Sequence, residues 1–388
     1  MPVPSIEILT THTGSLPRPV ELDGLFAARS RGQAIDEGRF TQLIEAATTA
    51  VVADQVRVGL DIINNGEAPR ESFFTYVRER LSGFEGASKR PIMADRVAYP
   101  SFVELKKGAL TTKSRVSAMS APACSAPLFH QGLGPIDAEL NGFTAALAGV
   151  GLGAERAFVT AASPGIVAAA MDNRFYPDDA AYLEAIAQAL RPEYQRIAEA
   201  GFILQIDAPD LAMERHTRFA SRPLGEFVAF VESVVAAINT AVAGIDRARL
   251  RLHVCWGNYD GPHHLDVELT EILPVLVEAE VGWLVLPFAN PRHAHEHRLL
   301  GRVPATMGVV AGVIETTHNY IEHPDVVADR LVRIADSLGD PQRLQAGTDC
   351  GFATFAGYRE VAAEVAWQKL GSLVEGTARA SATLGASR

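Results

Sequence analysis

The chain has 388 residues, 48% of them apolar and 21% charged, the balance of a globular protein with a large core, and no apolar run approaches the ~20 residues a membrane helix needs. A formal charge of −11 and the lack of any Lys/Arg run argue against a phosphate-tracking surface, so nucleic acid is not an expected partner. Three cysteines are too few, and odd in number, for a disulfide framework, and the opening "MPVPSIEILTTHTGSLPRP" has neither a basic nor an apolar leader segment, which makes the cytoplasm the expected location.

In chain order, eight short apolar runs end in polar, Gly or Pro residues: "TTHTGS" (10–15), "LDIINNGE" (60–67), "AFVTAASPG" (157–165), "FILQIDAPD" (202–210), "LRLHVCWGN" (250–258), "GWLVLPFAN" (282–290), "MGVVAGVIE" (307–315) and "RLQAGTDCG" (343–351). Between most of them lie helical patterns, among them 180–201, 326–339 and 360–373, with apolar residues three and four apart. Buried strands alternating with helices predict a (β/α)8 TIM barrel, one domain over 1–388. The interval from about 84 to 150 breaks the rhythm. Its stretch "KRPIMADRVAYPSFVELKKGALTTKSRVSAMSAP" alternates, which predicts a strand-rich hairpin inserted between barrel strands 2 and 3.

Barrel active sites form at the C-terminal ends of the strands, and that is where Gly14, Ser15, Glu67, Asp207, His253, Cys255, Glu315 and Cys350 fall. Taken singly, each also suits a turn or cap. His253 and Cys255 are two apart, so on a strand they face the same side, and Cys350 ends the last strand of the same barrel mouth. Two thiolates and an imidazole suit Zn2+, but spacing alone leaves buried structural thiols with a core histidine as an equal reading. The run His293, His295, Glu296 and His297, like His263 and His264, is expected to be an exposed polar stretch rather than a ligand set. Arg18 and Arg70 have the planar fork that would receive an anionic tail.

The segments "THTGSLPRP", "NGEAPR", "IDAPDL", "HVC" and "GTDCG" resemble, in order and approximate spacing, the cobalamin-independent methionine synthase superfamily, specifically short relatives that carry only the catalytic C-terminal barrel. The resemblance implies His253, Cys255 and Cys350 as ligands of a zinc that activates a thiol for alkylation. It implies Thr13, Gly14 and Ser15 for the carboxylate of an amino-acid thiol such as homocysteine, and Glu67 and Asp207 for its ammonium group. It puts Thr317 at the family's leaving-group histidine, with His318 one residue later and Glu315 aligned to an acid, which leaves His318 and Glu315 as candidates for protonating the leaving group. Pro287 stands where the family has a fourth ligand, a Glu, and Ala170 or Met171 stands near the family's folate-stacking tryptophan.

The expectation is therefore zinc-dependent alkyl, most simply methyl, transfer from a donor to a small anionic thiol. Epoxyalkane:coenzyme M transferases share the superfamily and offer an epoxide-opening alternative. A barrel that binds metal or thiol without turnover is a third. The oligomeric state is left open, a homo-oligomer included.

Overall fold

The computed structural model describes residues 6–110, 116 and 121–386. Nine strands form among them: β1 (Leu9–Thr10), β2 (Phe84–Glu85), β3 (Ala123–Cys124), β4 (Phe158–Ala162), β5 (Ile203–Asp207), β6 (Leu250–His253), β7 (Trp283–Pro287), β8 (Gly308–Ile314) and β9 (Leu344–Thr348). Seven of them make one parallel sheet in the order β1-β9-β8-β7-β6-β5-β4. Strands β4 and β9 are buried along their whole length, as expected for a parallel sheet covered by crossover helices.

The expected strand at 60–67 is shorter than the sequence suggests. Asp61 and Ile62 donate their amides to the Thr10 carbonyl at 3.2 and 3.0 Å, and Ile63 bridges Ala157 in parallel, with the Phe158 amide donating to the Ile63 carbonyl at 2.9 Å. Residues 61–63 therefore bond to both edges of the curled sheet. The ladder stops there because side chains take over the backbone groups that would extend it. Gln55 accepts from the Asn64 amide at 3.0 Å and donates to the Asn64 carbonyl at 2.7 Å, while Asn64 Oδ1 accepts from the Gly66 amide at 2.7 Å.

The strand-rich hairpin expected over 84–150 is corrected. Among its described residues the strands that pair are the two-residue β2 and β3, Phe84 with Cys124 and Glu85 with Ala123, and helices Ala94–Val97 and Pro100–Leu110 lie between them. Pro100 sits at a helix start, where a missing amide costs nothing, and "SFVELKK" is rich in helix formers, so its apolar positions fit a helical spacing as well as an alternating one. The rest of the alternating stretch, 111–115 and 117–120, lies outside the described residues. Helix Gly134–Gly149 then leads to β4.

Helix Leu224–Val242, between β5 and β6, is long and apolar enough by composition to cross a membrane. It packs Phe227, Val231, Val234 and Ile238 into the core instead. Helix Ala363–Ala386 carries Lys369, fully buried, with Nζ 2.8 Å from Glu322 Oε2, and the other oxygen of Glu322 accepts from the Glu315 amide at 2.9 Å. Lys369→Met leaves that carboxylate buried and unpaired and is expected to cost about 3–5 kcal/mol in urea unfolding. An unchanged midpoint would show that the pair does not support this end of the sheet.

Candidate functional site

Strand register sets the first contact of the site. Asp207 and His253 are partners across β5 and β6, which places Asp207 Oδ1 3.0 Å from His253 Nδ1. That hydrogen bond leaves Nε2 as the free ring nitrogen, and Nε2 is buried without a hydrogen-bond partner. A donor atom from each of His253, Cys255 and Cys350 lies within 4.8 Å of the other two, and all three residues are buried. Among the described residues no carboxylate joins this cluster. Pro287, at the end of β7, offers no donor.

Cys350 is held by its neighbours. Asp349, buried, accepts amides from Phe288 at 3.1 Å, Ala289 at 2.9 Å and Asn290 at 2.7 Å, so it clasps the turn after β7 to the end of β9. Gly312 makes room for the clasp, since a Cβ there would lie 2.5 Å from Asp349 Oδ1. Thr13 donates its amide to Thr348 Oγ1 at 3.2 Å and its hydroxyl to the Thr348 carbonyl at 2.6 Å, and the Phe352 amide donates to the Ser15 carbonyl at 2.8 Å. Asp349 had a sequence signal, its place directly before Cys350 in "GTDCG", but its amide partners come from another strand end and could not be read.

The electrostatics of the three donors follow from their contact. Burial opposes a charge on His253, but the Cys255 sulfur and the Asp207 carboxylate outweigh it and raise its pKa to about 10. The contact with Cys350, helped by His253 and opposed by burial, pulls the Cys255 thiol well below its usual range. The same contact, with burial, pushes Cys350 well above. The thiolate form is thus favoured at Cys255, beside the ring of His253. This donor set fits a borderline-soft cation such as Zn2+, with Asp207 orienting the imidazole from behind.

The cluster opens into a cavity of about 250 Å³ that Thr13, Ser15, Glu67 and Asp207 also line. Glu67 is buried on a left-handed backbone (φ 54°), a conformation rare outside glycine, and one carboxylate oxygen accepts from Thr160 Oγ1 at 3.1 Å while the other has no partner. Burial and the nearby Asp207, opposed by Arg18 and Arg70, raise its pKa to about 7. Gly14 permits its approach, because a Cβ there would lie 2.6 Å from Glu67 Oε1.

Five of the candidate site residues do not line this cavity: Gly14, Arg18, Arg70, Glu315 and His318. Arg18 donates to the Glu67 carbonyl at 2.8 Å and the Ala353 carbonyl at 2.7 Å, and Arg70 to Glu139 at 3.1 Å and the Thr160 carbonyl at 2.6 Å. Both guanidinium groups bond to groups inside the protein and neither lines this cavity, although Arg70 Nη2 is buried without a hydrogen-bond partner. Glu315 accepts from the Thr317 and His318 amides, both at 2.9 Å, and so caps its own loop. His318 is half exposed beside Asp260 and Glu315.

The histidine-rich run is also corrected. His293 and Glu296 are buried, not exposed: His293 stacks on Trp256 with ring centroids 4.1 Å apart and bonds Asp266 at 2.8 Å and Glu296 at 2.7 Å. His263 is buried too, 2.9 Å from Asp266. This network braces the loop after β6 and does not touch the three donors. His295 stays exposed and His297 bonds Ser337 Oγ at 2.9 Å.

A family model described as "Cobalamin-independent synthase, Catalytic domain" matches residues 8–100 and 109–370. A methionine synthase of Saccharolobus islandicus is 27% identical over 372 residues, covering 95% of this chain and 93% of its own. A methionine synthase of Saccharolobus solfataricus is 24% identical over 374 residues with the same coverage. The solved structure of a B12-independent methionine synthase from Shewanella sp. W3-18-1, in complex with selenomethionine, matches with a TM-score of 0.74 at 20% identity, covering 98% of this chain and 99% of that one.

Proposed function

The chain belongs to the family of cobalamin-independent methionine synthase catalytic domains, and from that premise we propose that it methylates a small amino-acid thiol, homocysteine in the first instance, at a zinc site formed by His253, Cys255 and Cys350. Its relatives support a methyltransferase. The zinc, the thiolate nucleophile and the residue roles are our reading. We take the curled sheet with residues 61–63 between its edges as a closed (β/α)8 barrel of one domain.

The observation that carries the reading is the orphaned Nε2 of His253 beside two sulfurs at one end of a cavity that also holds two carboxylates. Bound there, Zn2+ supplies Lewis acidity that keeps a substrate thiol deprotonated at neutral pH. Asp207 fixes the ring of His253 through Nδ1. Glu67, with its unpartnered oxygen, and Asp207 present negative charge to the ammonium group of the thiol substrate, and Ser15 and Thr13 line the same wall for its carboxylate. Met213, Phe73 and Phe355 line the cavity as well and limit water around the reacting sulfur.

Adding homocysteine to the zinc-loaded protein is expected to add a sulfur to the metal's coordination shell in X-ray absorption and to release about one proton per site. An unchanged spectrum with homocysteine would remove thiol activation from the account.

A further inference from the structure

The segment between β2 and β3 supplies part of the cavity wall, through Arg90, Met93 and Arg96. It is tied down at two points. Arg90 Nη2 lies 2.7 Å from Glu214 Oε1, a buried carboxylate past the end of β5. Asp95, fully buried, accepts from the Tyr259 hydroxyl, from the His263 amide at 3.1 Å and from the Arg96 amide at 2.7 Å. These contacts join the segment to the loops after two neighbouring strands.

The anchoring of Asp95 fixes the residue next to it. The Arg96 guanidinium carbon stands 4.7 Å from the centre of the Tyr259 ring, and Tyr259 itself lines the cavity four residues beyond Cys255. Arg96 pairs with no carboxylate among the described residues, and its Nε is buried without a hydrogen-bond partner. Arg90 has Glu214, and Arg18 and Arg70 do not line the cavity, so among the described residues Arg96 is the lining arginine without a carboxylate partner. A guanidinium stacked on an aromatic face keeps its edge free for a planar, bidentate anion.

We propose that Arg96 binds an anionic group, a carboxylate or an oxyanion of similar size, on the alkyl donor. This rests on the reading that the cavity brings a thiol and an electrophile together. The cavity is then bipolar: Glu67 and Asp207 draw the cationic end of the thiol substrate, and Arg96 draws the anionic end of the second substrate. In the transfer the substrate sulfur forms a bond to the alkyl carbon, and the bond from that carbon to the donor breaks, its electron pair leaving with the donor. Arg96 touches the donor away from the reacting carbon.

The test uses the full chain, freed of metal, with its own Cys255 as the nucleophile and two electrophiles of nearly equal size. Iodoacetate is anionic and iodoacetamide is neutral; each alkylates sulfur with loss of iodide, and peptide mass spectrometry reads the rate at Cys255. The iodoacetate-to-iodoacetamide rate ratio is expected to fall about tenfold in Arg96→Gln, the size of one charge-assisted hydrogen bond, and less in Arg96→Lys, which keeps the charge but loses the fork. An unchanged ratio in Arg96→Gln overturns the proposal. So does an equal fall in Arg57→Gln, an exposed arginine of helix Glu37–Val58, because that would report net charge alone. Homocysteine affinity of the zinc-loaded protein, measured by calorimetry, is expected to be the same in wild type and Arg96→Gln; a weakened affinity would move the anion to the thiol and overturn the donor assignment. The alkylation arm needs neither zinc nor homocysteine, so a failure of the zinc reading leaves its result intact.

Discussion

Cys350→Ser is expected to lower bound zinc from about one per chain to less than about 0.2 after dialysis, and to lower methyl transfer by about a thousandfold or more. A serine hydroxyl stays protonated where a thiol yields a thiolate, and the two remaining donors, His253 and Cys255, are too few to hold the ion against water. Elemental analysis reads the loss directly. Cys124→Ser supplies the control: that cysteine is buried in the β2–β3 pair, its sulfur 3.5 Å from the Ala126 carbonyl, and it is not among the clustered donors. Zinc retained in Cys350→Ser, or lost equally from both variants, would remove Cys350 from the ligand set.

Glu67→Gln is expected to weaken homocysteine binding about 10- to 100-fold at pH 8, the cost of losing an ionic partner for a buried ammonium group, and to weaken it less at pH 6. The direction follows from the raised pKa of about 7. Below that value the carboxyl is protonated and offers the ammonium no charge, so wild-type affinity should climb as pH rises through about 7 while the variant stays flat in that window. Stability runs the other way. Between the ordinary carboxylate range and about 7 the folded protein holds a proton that the unfolded chain has released. The stability linked to that proton is full below the ordinary range and declines as pH rises toward 7. Replacing Glu67 should flatten this decline and cost no stability at pH 8. Calorimetric titration and urea unfolding at pH 6 and 8 separate the two effects. A variant with the same pH slope in binding would show that another group governs it.

The parts of the site legible in the sequence were those decided by local geometry. His253 ends β6 with Cys255 two residues on, and Cys350 stands just past the end of β9, the last strand, so the polar endings of apolar runs were enough to find all three. The features that escaped depend on partners far along the chain. Arg18 looks available until the Ala353 carbonyl, 335 residues away, is seen to accept from it, and Arg70 until Glu139 is seen beside it. His293 and Glu296 look like surface because the run around them is polar. The turn over Ala294–Arg302 points them inward to Trp256 and Leu269 while His295 and Arg298 stay outside. The segment after β2 misled because residues 102–105 fit both periodicities, and nothing nearby decides between them.

The double tether of that segment, through Arg90 and Asp95, has a consequence for how such a catalyst could diversify. If Arg96 receives the donor, the parts of the cavity are encoded in separate stretches of chain: His253, Cys255 and Cys350 at strand ends, and Arg96 on a segment that meets them through a few buried contacts. Exchanging residues 89–97 between relatives, with Arg90 and Asp95 kept, would then change the electrophile admitted and leave the nucleophile's seat as it was.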